Sequence, residues 1–130
     1  MVARFSRDHK ALQAIIADAR EVVERGGPDG RAELITQRLA FARKFRRHQS
    51  EELAYLVAHY DRDVLAEYQR DLSTLLTDYS AHVNHWNPQR IGEDYPGYVR
   101  ATTALWMRLQ QRFEWEEQVF FPSLTFVHAA

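Results

Sequence analysis

His48 and Glu52 stand four residues apart in the stretch from Phe45 to Leu56, a spacing that stacks them one turn apart on a single helical face. A neutral imidazole and a carboxylate so placed can hold a metal ion or each other. They interrupt a row of apolar residues, Leu34, Phe41 and Phe45, with Arg38 a polar gap, that resumes at Tyr55 or Leu56. A second row, Tyr98, Leu105 and Leu109, is interrupted by Arg112 and Glu116 before Phe120. A small rotation of that helix would turn Phe113 inward in place of Arg112. Buried polar groups need partners, so any chemistry is expected where the two interruptions meet.

Four helical segments must position these groups. The first begins near Ser6, read as an N-cap, and carries Leu12, Ile15, Ile16, Ala19, Val22 and Val23 at helical spacing with His9 on the same stripe. Gly26-Gly27-Pro28-Asp29-Gly30 is the strongest breaker and predicts a loop, followed by a second helix from about Arg31 to His59. Tyr60 to Asp63 is a weaker boundary with Asp61 as cap, and one third helix then reaches Trp86. Asn87 to Gly97 reads as a second loop, and a fourth helix runs from about Tyr98 to Phe121, with Pro122 near its end. The tail from Ser123 to Ala130 either packs on the helices or frays. No strand pattern competes, so the expectation is an all-α, antiparallel up-and-down four-helix bundle forming one domain over residues 1–130.

The polar interruptions can be levelled by counting about 1.5 Å per residue along each helix. His9 lies about 16 residues before the end of the first helix and His48 about 17 after the start of the second. Tyr68 and Glu52 flank the next connection at about six and seven residues, and Arg112 returns to the same height. His9, His48, Glu52, Tyr68, Arg112 and Glu116 are therefore predicted to share one level. His82 and His85 fall at the opposite end and read as surface or loop-proximal groups. Of Glu116 and Glu117, at least one should face solvent. Trp106 and Trp115 lie off the main stripe and read as packing or as an interface.

Composition removes several function classes. With 17 basic against 18 acidic side chains the chain has no global basic surface, which argues against nucleic acid. The absence of cysteine excludes thiolate metal sites, disulfides and a cysteine nucleophile. No run approaches a membrane span, and the N-terminal residues lack a signal peptide's apolar centre, so a cytoplasmic protein is expected. No phosphate loop or strong general acid–base pair argues for an enzyme.

Three segments carry a resemblance. Asp8-His9-Lys10-Ala11-Leu12, His48-Gln49-Ser50-Glu51-Glu52 and Glu116-Glu117-Gln118-Val119-Phe120-Phe121-Pro122 resemble the first-helix histidine, the second-helix His-x-x-x-Glu and the Glu-Glu-x-x-Leu-Phe-Pro ending of hemerythrin-like domains of the His-His-Glu cation-binding family. The resemblance implies a non-haem iron centre, mono- or dinuclear or holding another divalent metal, that binds or senses dioxygen or a related small ligand or stores metal. It carries the ligand role onto His9, His48, Glu52 and Glu116.

Two family histidines are missing: Tyr68 stands at the third-helix position and Arg112 at the fourth. Tyr68 is either a phenolate ligand or a core residue whose hydroxyl pairs with a neighbouring histidine or carboxylate. Arg112 cannot ligate, because its guanidinium stays protonated. It can pair with Glu52 or Glu116 and supply the charge of a cation, which predicts a degenerate centre. The competing expectation is a metal-free helical regulator acting through a protein partner, since the run from Gln111 to Glu117 faintly resembles the regulator-of-sigma-D family.

Overall fold

The computed structural model describes residues 2–124. Among them there are no strands: the chain forms α1 (Val2–Arg25), α2 (Gly27–His59), α3 (Arg62–Gln69), α4 (Leu72–His85), α5 (Pro88–Glu93) and α6 (Tyr95–Trp115), with a π-helical turn at Glu116–Phe120. Residues 121–124 return to α-helix. None of these helices is long and apolar enough to cross a membrane.

The apolar rows close into three core layers. The first combines Phe5, Leu56, Tyr68, Leu72, Phe120 and Leu124. The second combines Leu12, Ile16, Phe41, Phe45, Leu75, Leu109 and Phe113. The third combines Ala19, Val22, Leu34, Ile91 and Tyr98. Along α1 the layers are met in that order, and along α2 and α6 in reverse. Each fully buried Leu or Phe contributes roughly 1.5–3 kcal/mol, so a row facing one way sets the rotation of its helix. Between the first two layers the rows of α1, α2 and the C-terminal helix turn polar, at His9, at His48 and Glu52, and at Glu116.

Several boundaries differ from those expected. Ser6 is no N-cap, because α1 already begins at Val2. The Gly-rich turn shrinks to Gly26, whose φ of 65° is left-handed and suited to glycine, and α2 starts at Gly27. Asp61 caps α3 as expected, accepting from the backbone N–H of Asp63 and Val64.

The single third helix breaks into α3 and α4 at Arg70-Asp71, where Asp71 takes φ 63°. No proline or glycine marks that break in the sequence, and its freed carbonyls are met by a side chain from α6: Arg112 donates to Tyr68 O at 2.5 Å and Arg70 O at 3.3 Å. The expected second loop contains α5. Asn87 caps it, Pro88 opens it, and Ile91 is buried in the third layer. In the tail Leu124 packs in the first layer, while residues 125–130 lie outside the described residues.

Candidate metal centre

His9 from α1, His48 and Glu52 from α2, and Glu116 at the start of the π turn meet in the polar layer, and each is at most 1% exposed. One ligand atom from each lies within 4.8 Å of all the others. His9 Nε2 is 3.1 Å from His48 Nε2 and 3.0 Å from Glu116 Oε1, and His48 Nε2 is 3.1 Å from Glu52 Oε2. The Nε2–Nε2 contact has hydrogen-bond geometry but needs a proton on one of the two nitrogens, whereas the two histidine–carboxylate separations are close contacts without aligned bonds. Glu52 Oε2 and Glu116 Oε1 are both buried with no hydrogen-bond partner.

The outward atoms of the same four side chains are all engaged. His9 Nδ1 meets Glu117 Oε1 at 2.7 Å, and His48 Nδ1 meets Asp8 Oδ2 at 3.0 Å. Tyr68 O–H donates to Glu52 Oε1 at 2.7 Å, and Arg112 Nε–H donates to Glu116 Oε2 at 2.6 Å. A carboxylate accepts, so each imidazole carries its proton on Nδ1 and turns an Nε2 lone pair inward. Two imine nitrogens and two carboxylate oxygens then face one another with no donor among them. Such a centre requires protons or a cation, and its N/O donor set with carboxylate-buttressed histidines fits a divalent metal.

The electrostatics show the cost of leaving the centre without positive charge. Burial, with the neighbouring Glu116 charge, raises the pKa of Glu52 in spite of His48 and Tyr68. Burial opposes charging His48, yet Glu52, Asp8 and Glu116 together raise its pKa. For Glu116 burial acts upward, but the His9 ring and the Arg112 guanidinium outweigh it and hold the carboxyl below its usual range. Burial and then Glu52 push the Tyr68 phenol well up, so it stays a neutral donor.

Tyr68 is thus brought to the site as the partner of a ligand, its hydroxyl proton directed to Glu52. Arg112 pairs with Glu116 as expected, but on the outer oxygen, and its guanidinium lies over the rings of Tyr68 and Trp115 at 5.1 and 4.5 Å. Its charge therefore supports the centre from outside and does not enter it. Phe113 is also inward, fully buried and stacked on His9 at 4.6 Å, so the alternative between Arg112 and Phe113 dissolves.

Glu116 is fully buried, while Glu117 is the partly solvent-facing member that was expected, its side chain 34% exposed, and yet it also reaches His9. A π turn closes i→i+5 hydrogen bonds and turns less per residue than an α-helix, so adjacent side chains diverge less. Glu116 reaches the centre while Glu117 holds His9 and accepts from Ser6 Oγ at 2.6 Å. Asp8 and Glu117 escape a reading by helical stripe because each lies beside a ligand and acts across to another helix. Their adjacency to His9 and Glu116 is the only sequence signal.

At the far end His82 is half-buried rather than on the surface, with Nε2 3.0 Å from Thr102 Oγ1. His85 is exposed and meets Arg90. Arg38, the polar gap in the α2 row, donates to the carbonyls of Val83 and Trp86 at the end of α4. Trp115 stacks on Phe120, and Trp106 packs on the second and third layers.

No family model, curated protein or solved structure matches this chain. The chain is a helical protein with a buried His-His-Glu-Glu group that could bind a metal.

Proposed function

We propose that this chain is a hemerythrin-like, up-and-down four-helix bundle that holds one non-haem divalent ion, iron in the first instance, for sensing or storage. The carrying observation is the convergence of four inward lone pairs, from His9, His48, Glu52 and Glu116, while all four outward atoms are spent on Glu117, Asp8, Tyr68 and Arg112. The reversed order of the core layers along α1 and α2 supports the bundle reading.

A single ion is favoured over two because the donor atoms span only 4.8 Å. Paired catalytic metals stand roughly 3.5–4 Å apart, each needing its own ligands. Tyr68 and Arg112, which replace the family's other histidines, orient ligands here instead of adding to them. A bound ion would supply the positive charge, and at an open position would bind a small ligand such as dioxygen. We infer a binding role and not an enzyme, since the polar side chains around the ligands are committed to holding them.

Metal analysis of protein purified without chelator tests the reading. About one equivalent is expected in the wild type and none in His48→Ala. A wild type without stoichiometric metal would reject it and leave the metal-free regulator as the better account.

A further inference from the structure

Between α2 and the α3–α4 pair runs an open groove of about 660 Å³, within the size range of small-molecule sites. Ala42 and Leu53 mark its ends on α2, which at about 1.5 Å per residue makes it roughly 16 Å long. Phe45, Leu72 and Leu76 give it an apolar floor, and Leu53 at one end is 37% exposed.

The charge along this groove is one-sided. Among the described residues Arg46 is the only ionised side chain lining it, and no aspartate or glutamate does. Some surface arginines pair with acids, as Arg4 with Glu51, Arg25 with Glu33 and Arg108 with Asp78, while exposed Arg43, Arg47 and Arg62 have no acidic partner among the described residues; what sets Arg46 apart is its place in the groove lining. Arg46 has no such partner among the described residues. Gln49, also in the lining, keeps a buried amide nitrogen without an acceptor.

We infer that the groove binds a small amphipathic monocarboxylate, its carboxylate on Arg46 and its aliphatic body along Phe45, Leu72 and Leu76. Arginine presents a planar fork of donors matched to a carboxylate, and the absence of acidic lining disfavours cations. Burial of the chain supplies the affinity, at about 0.8 kcal/mol per methylene removed from water. The site is separate from the four converging ligands: Tyr68 stands between them, one side lining the groove and its hydroxyl on Glu52.

The test is amide chemical-shift titration of the full chain with octanoate, octanol and octylammonium. Octanoate should give saturable shifts centred on residues 45–53 and 69–76. Arg46→Gln should weaken octanoate at least fivefold and leave octanol unchanged. Ser73→Trp, a substitution at an exposed lining residue, should abolish both. Metal content measured on the same samples should not change, so failure of this site and failure of the metal centre register separately. Octanoate and octylammonium binding equally, shifts scattered outside the groove, no saturable shift, or an Arg46→Gln variant that binds octanoate as the wild type does would each overturn the proposal.

Discussion

At one level of the core His9, His48, Glu52 and Glu116 converge with their inward atoms unmatched, whereas toward the other end His82 sits beside Tyr98 and shares a hydrogen bond with Thr102. Both levels place histidine among apolar residues. Near His82 burial, followed by the charges of Arg38 and His85, lowers the histidine's pKa to about 4, so the ring stays neutral and one hydroxyl is partner enough. Around His48 the carboxylates reverse that direction. Burial of a histidine therefore does not make a metal site. What distinguishes the centre is that acids hold each imidazole from behind and two further carboxylates face its free nitrogen.

The largest effect expected from this difference is on stability. A thousandfold excess of Fe(II) or Zn(II) over its dissociation constant should stabilise the fold by about 4 kcal/mol. Chelator should reverse the gain, Glu116→Gln should abolish most of it, and His82→Gln should retain it in thermal melts. An equal loss in both variants would erase the contrast between the two levels.

Next in size is Arg112→Ala. It leaves Glu116 Oε2 unpaired and frees the carbonyls of Tyr68 and Arg70, all now held by a side chain only 9% exposed. Breaking a buried pair costs roughly 3–5 kcal/mol, and the lower end is expected here because Arg112 lies at the edge of the layer. Chemical denaturation of the metal-free protein measures it. An unchanged midpoint would show that Arg112 does not support the centre.

Smaller again are the residues behind the histidines. Asp8→Asn or Glu117→Gln should weaken metal affinity by about 10–100-fold while leaving one ion bound per chain, as replacing a buttress of a ligating histidine does elsewhere. Competition with a chromophoric chelator gives the affinity, and unaltered affinity in both would show that these carboxylates do not tune the histidines.

The smallest effect is a pH dependence at the far level. A histidine whose folded pKa lies below its unfolded one stabilises the fold in its neutral form. For His82 that contribution is complete above 6.5 and is lost as pH falls toward about 4. The full shift would convert to about 3 kcal/mol, but the ring is partly open to solvent, so about 1–2 kcal/mol is expected. Metal-free wild type should lose stability more steeply across that interval than His82→Gln. Parallel curves would place the acid sensitivity elsewhere.

The sequence by itself determined the helical class and the height of the site. Apolar rows at helical spacing must bury one face, and that fixes which way His9, His48, Glu52 and Glu116 point. Counting the rise per residue then levels them, because turns between helices are short. Asp61 as a cap was legible for a similarly local reason: its side chain satisfies two backbone donors within three residues.

Only the tertiary structure decided the rest. The break at Arg70-Asp71 carries no local breaker, and its carbonyls find their partner 42 residues away in Arg112. The π turn that brings Glu117 toward His9 beside Glu116 lengthens the hydrogen-bond span by one residue, a change too small to appear in a pattern of apolar positions. Whether Tyr68 would ligate or orient, and whether Arg112 would fill the centre or flank it, depended on which oxygen of which glutamate each one reached. Such choices are made by side-chain packing between helices, at distances that no spacing within one helix encodes.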